Sequence, residues 1–147
     1  MAATHGQRLE PEAEAPMALV VDNDLFFTVR IEKTLTAMGY RVCVAMDRTA
    51  ALAKVSAATP ALALIAFGKS ELDPVALVQQ LKALPAPPQV LGYIAHVRLP
   101  AVREEARQAG CDLLVPHSAV HTRLPFLIER LQAHDIAAAQ QIADEAE

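Results

Sequence analysis

The sequence predicts an α/β fold, a parallel sheet covered by helices on both faces, and two patterns carry that prediction. Short, continuously apolar runs recur along the chain, bounded by proline, glycine or acidic residues, as strands buried on both faces require. Between them lie longer segments whose apolar residues fall three and four apart, the period of one helical face. The two patterns alternate five times, and right-handed crossovers leave few topologies for such a chain.

The first run, 17–21, reads MALVV and stops at the acidic cluster Asp22-Asn23-Asp24. A helix over 25–38 follows, with Phe27, Ile31, Leu35 and Met38 on one face and Asp24 as its N-cap rather than a metal ligand. Gly39 ends it by accepting a positive φ. Residues 41–45 form the second strand, Asp47 caps a helix running to about 58, and Pro60 separates it from a third strand over 62–67. Pro74 stands in the first turn of the third helix, where its missing N–H costs nothing, and Val75, Val78 and Leu81 line the inner face. The proline-rich connector 84–88 leads into the fourth strand, 90–94. The fourth helix covers 100–109, with Leu99, Val102, Ala106 and Ala109 on one stripe and Gly110 as its stop.

A last strand over 113–115 precedes a final helix starting near 122, which places Pro125 in a first turn that tolerates it. The alanine-rich end, 133–147, has high helix propensity but only Ile136 and Ile142 as large apolar residues. It is expected to extend the final helix beyond the domain body and to fray, because Asp144, Glu145 and Glu147 oppose the helix dipole. The organisation read from the sequence is thus a disordered polar tail over 1–16, one domain over 17–132, and a helical extension over 133–147.

A chain of 147 residues suffices for one domain with a sizeable core, and 53% apolar residues suit a sheet covered twice. The net charge is −4 and the basic residues are scattered, so no nucleic-acid footprint is expected. No stretch approaches the ~20 apolar residues that span a bilayer, and the N-terminus lacks the apolar core of a secretory signal. Two cysteines make no disulfide framework: Cys43 reads as a small strand hydrophobe, and Cys111 follows a helix end. The expected setting is the cytoplasm, without membrane contact.

Several features recur in a fixed order: Val20-Val21-Asp22, Gly39-Tyr40, Asp47 with Ala51-Leu52, Pro60, Asp73, Ala95 and Ala109-Gly110-Cys111-Asp112. In order and spacing the chain resembles a response-regulator receiver domain over 18–131. The resemblance implies a flavodoxin-like, doubly wound five-stranded sheet of order 2-1-3-4-5, with its site at the carboxyl ends of the strands. It also implies a phosphorylation site there. Two acidic residues after the first strand help hold Mg²⁺, and an aspartate ending the third strand accepts the phosphoryl group. A Ser or Thr ending the fourth strand bonds that group, and a Lys after the fifth neutralises it. At these positions the chain carries Asp22 and Asn23, Ala66, Ile94 and His117.

Only Asp22 is retained. Ala66 offers no carboxylate for an aspartyl phosphate. Loss of two negative charges should abolish affinity for a hard cation, so no cofactor and no Mg²⁺ are expected. His117 is a poor substitute for a lysine near neutral pH. The expectation is a non-enzymatic, stand-alone pseudo-receiver: a phosphorylation-independent protein-interaction module of two-component signalling, with no sequence after 131 for a DNA-binding output. The alternative is a small-ligand or nucleotide-binding domain of the same fold, although none of the five glycines builds a phosphate loop after the first strand.

Ser70 and Asp73 could serve as displaced phosphoacceptors, but Asp73 reads better as the cap before Pro74. His96, His117 and His121 could meet at the strand ends as metal ligands, although His117 is expected to precede its helix and the bland alternative is exposed loop histidines. Arg103 and Arg107 on the fourth helix, with Arg123 and Arg130 on the fifth, form the candidate face for a protein partner or a homodimer. The alternative there is a solvated charged surface.

Overall fold

The computed structural model describes residues 15–145, so all but Ala15 and Pro16 of the expected N-terminal tail lies outside the described residues. Five strands, β1 (Met17–Val21), β2 (Arg41–Ala45), β3 (Leu62–Ala66), β4 (Gln89–Ile94) and β5 (Leu113–Pro116), form one parallel sheet in the order β2-β1-β3-β4-β5. Helices α1 (Leu25–Ala37), α2 (Arg48–Ala57), α3 (Pro74–Lys82), α4 (Leu99–Ala109) and α5 (His117–Gln132) connect and follow the strands, and α6 (Ile136–Glu145) ends the described chain. Every residue of β1 and β3 is buried, which is why their sequences are apolar throughout rather than alternating. The edge strand β2 is mostly half-exposed.

Local chemistry places the ends as the sequence implies. Asp24 and Asp47 accept from the amides of Phe27 (3.1 Å) and Ala50 (2.8 Å), capping α1 and α2. α1 closes in a Schellman turn: Gly39 donates to the Thr36 carbonyl and Tyr40 to that of Leu35, with φ +99° at the glycine. Asp112 receives the Val90 amide at 2.7 Å and the Lys82 ammonium at 2.9 Å, tying the start of β4 to β5 and α3.

Four details depart from the expectations. The buried stripe of α3 is Pro74, Leu77, Val78 and Leu81, with Val75 half-buried, because the stripe repeats from position 74. Asp73 precedes Pro74 but makes no side-chain cap; a short 3₁₀ turn over Ser70–Leu72 leaves it at φ +49°, outside the extended conformation of an N-cap. α5 starts at His117, so Pro125 lies inside the helix rather than in its first turn. Pro125 and His121, four residues earlier, are both exposed, so water can reach the carbonyl that the proline leaves unpaired.

The fourth departure concerns the end of the chain. α5 does not continue. His134 (φ +59°) turns the backbone, its N–H donating to Leu131 O (3.0 Å) and that of Asp135 to Arg130 O (2.9 Å). Asp135 then receives the Ala138 amide at 3.1 Å, and α6 folds back against α5 and β5 with Ala139 and Ala143 fully buried. The extension is part of the body.

Candidate functional site

The parallel register brings the ends of β1, β3 and β4 and the start of α5 to one edge of the sheet. Asp22, one residue past β1, is 1% exposed. A carboxylate there loses several kcal/mol of hydration unless it is paired and hydrogen-bonded. Three donors meet it. Lys69 Nζ lies 2.8 Å from Oδ1, the Asp24 amide 3.1 Å from the same oxygen, and the Tyr93 hydroxyl 2.7 Å from Oδ2. The same ammonium donates to Asn23 Oδ1 at 2.7 Å, while Asn23 Nδ2 donates to Glu71 Oε2 at 2.9 Å. The Gly68 carbonyl, in the same loop after β3, accepts from Arg98 Nη1 at 3.2 Å.

Tyr93 stays a proton donor because burial, reinforced by the negative charge of Asp22, raises its hydroxyl well above the usual tyrosine value. The hydrogen bond from Asn23 holds the Glu71 carboxyl below its usual value. Phe27, Tyr93 and His117 close the site in edge and tilted contacts, with ring centroids 5.2–5.4 Å apart. Burial lowers the His117 pKa, and Asp22 pulls it only partly back. The imidazole is therefore harder to protonate in the fold than in the unfolded chain. Stability held by neutral His117 is complete above the ordinary imidazole value of about 6.5 and falls as pH drops through it towards the lower folded value. Melting temperature should decline on acidification across that window, and His117→Gln should flatten the decline; an unchanged slope in the variant would remove His117 as its source.

The structure gathers Asp22, Asn23 and His117 at this edge, with Ala66 and Ile94 buried as apolar residues at the ends of their strands. It does not gather the other histidines. His96 is exposed in a 3₁₀ turn, and His121, although on α5 with His117, lies 3.0 Å from Arg30 Nη2. Among the described residues no group of three or more His, Cys, Asp or Glu side chains is placed to hold a metal ion. Burial pushes the Cys111 thiol up to about 12, which makes it inert as a nucleophile.

Lys69, Tyr93 and Arg98 are the site residues that pattern reading misses. Each left a trace: a lone lysine three residues past β3, a hydroxyl inside the otherwise apolar run Leu91-Gly92-Tyr93-Ile94, and an arginine opening α4. The donor set does not fit a divalent cation. Asp22 and Asn23 both turn their oxygens to an ammonium, the Glu71 carboxylate is held by the Asn23 amide, and Asp24 caps α1.

Solved structures of similar architecture include a CheY-like response regulator receiver domain protein from Methanospirillum hungatei JF-1, 18% identical, with a TM-score of 0.69 over 87% of this chain and 98% of that one. A response regulator from Thermotoga maritima is 17% identical, with a TM-score of 0.68 over 82% and 98%. The receiver domain of NtrX from Brucella abortus is 23% identical, with a TM-score of 0.68 over 77% and 95%. The chain has the receiver fold. No protein-family model matches it, and no curated protein matches its sequence.

The expected partner face of this receiver fold is altered by α6. Arg103, Arg107, Arg123 and Arg130 are all exposed, but α6 packs on β5 and α5. Its end meets the start of α4 across a cleft of about 130 Å³ lined by Leu99, Pro100, Arg103, Pro116, Ala143 and Asp144. Arg107 is engaged by Glu104 on its own helix. A homodimer through an open α4–β5–α5 surface, as the sequence suggests, would have to displace α6. No helix among the described residues is long and apolar enough to cross a membrane.

Proposed function

We propose that this domain is a pseudo-receiver, a non-enzymatic protein-interaction module of two-component-type signalling whose pocket is held in one arrangement without phosphorylation. The observation that supports this reading most directly is the Lys69 ammonium shared between Asp22 and Asn23, beside a third strand that ends in Ala66. A phosphorylation switch needs a nucleophile and a bound metal whose charge the phosphoryl group then joins. Here the nucleophile is missing and a covalently attached cation already balances the carboxylate.

Acetyl phosphate with millimolar Mg²⁺ should leave the intact mass unchanged, and Mg²⁺ or beryllofluoride should leave the melting temperature unchanged. A phosphoryl adduct, or a clear upward shift with Mg²⁺, would overturn the reading. The alternative of a nucleotide or small-ligand domain gains no support from the strand-end crevice, where Asp22, Asn23, Lys69 and Glu71 bond to one another.

A further inference from the structure

The α5–α6 turn points to a second arrangement of this chain. Three helices here end in the same hydrogen-bonded turn, those of α1, α4 and α5. In the first two the left-handed position is glycine, Gly39 at φ +99° and Gly110 at φ +110°. In the third it is His134 at φ +59°. A side chain in that conformation is strained where glycine is not, although histidine tolerates it better than most. Ala133 before it, and the alanine-rich α6 that begins after Asp135, favour helix. The turn therefore works against local preference. It is held by the α6 docking contact, by the Asp135 cap and by Gln89, whose amide donates to Leu131 O at 2.6 Å.

The docking contact is modest. α6 buries Ala139 and Ala143 fully and Ile142 in part, while Ile136 remains 38% exposed. We propose that α6 is an exchangeable segment: when the turn at His134 opens into helix, α5 and α6 become one straight helix, and α6 docks on β5 and α5 of a second copy. In the described arrangement α6 runs antiparallel to α5. Two straightened helices laid side by side antiparallel reproduce that pairing twice, with each domain body at the opposite end of the pair. Every contact of α6 is then recovered in trans, so the balance between one chain and two depends on the hinge and on concentration. The partner is a second copy, and the surface is the one α6 already occupies.

The hinge can be biased both ways without touching the docking surfaces. His134→Gly relaxes the turn and should hold the chain monomeric from micromolar to millimolar concentration in sedimentation velocity. His134→Ala with Asp135→Ala removes both the tolerated left-handed residue and the cap. Because each dimer contains two hinges, its dimerisation should be stronger than that of the glycine variant by at least about tenfold. Adding Ala139→Glu, which blocks docking in cis and in trans alike, should return that variant to monomer. Equal self-association of the glycine and alanine variants would overturn the proposal, as would a dimer that survives Ala139→Glu.

Discussion

Replacing Lys69 with methionine should destabilise the domain more than any other exchange on its surface. The variant keeps the aliphatic stem and removes the only cation among the described residues that is bonded to Asp22, whose side chain is 2% exposed. Breaking a fully buried pair from one side costs about 3–5 kcal/mol. Because 31% of the Lys69 side chain is exposed, water can take over part of its role, and a loss of roughly 2–3 kcal/mol is expected. For a domain of this size that lowers the melting temperature by roughly 10 °C. Asp22→Asn in the same background should recover about half the loss, since the stranded charge goes with it. A single Lys69→Met variant within the roughly 0.5 kcal/mol of ordinary surface exchanges would show that the ammonium is ornamental.

Gly92→Ala should cost about 2 kcal/mol through packing alone. A Cβ there would lie 2.6 Å from two atoms of the Phe67 ring and 3.0 Å from Leu114 Cδ1. Phe67 is 4% exposed and begins the loop that carries Gly68 and Lys69. The ring cannot yield without moving that loop, so the substitution connects the middle of β4 to the pocket. Phe67→Leu should restore stability to the Gly92→Ala chain by clearing the ring from the collision. Wild-type melting of Gly92→Ala would mean that the ring tilts away freely, and would break the link to Lys69.

The sheet was legible because the strands are apolar runs, broken only by Arg41 and Gln89 at their starts, and the turns carry their own punctuation: Asp24 and Asp47 as caps, Gly39 and Gly110 as stops. The end of α5 was not legible, for a physical reason. The turn there uses the hydrogen bonds of a glycine stop without the glycine, so an alanine-rich stretch reads as one helix. The start of α5 was misplaced because Pro125 suggested a first turn, when in fact a solvent-facing proline sits inside the helix. In the pocket, the losses at Asn23, Ala66 and Ile94 could be read position by position against the receiver pattern. The compensation could not. Lys69 and Tyr93 reach Asp22 across 47 and 71 residues, and neither stands at a position where that pattern looks for a partner.

A tethered cation also changes what the domain can sense. A free ion occupies a site according to its concentration in the surrounding solution, whereas a side chain on the next loop presents a local concentration fixed by the length of its stem. On the proposed reading, Asp22 is answered by that side chain rather than by a dissolved ion. If neither ion nor phosphoryl group acts there, the quantity left to vary is how many copies are made.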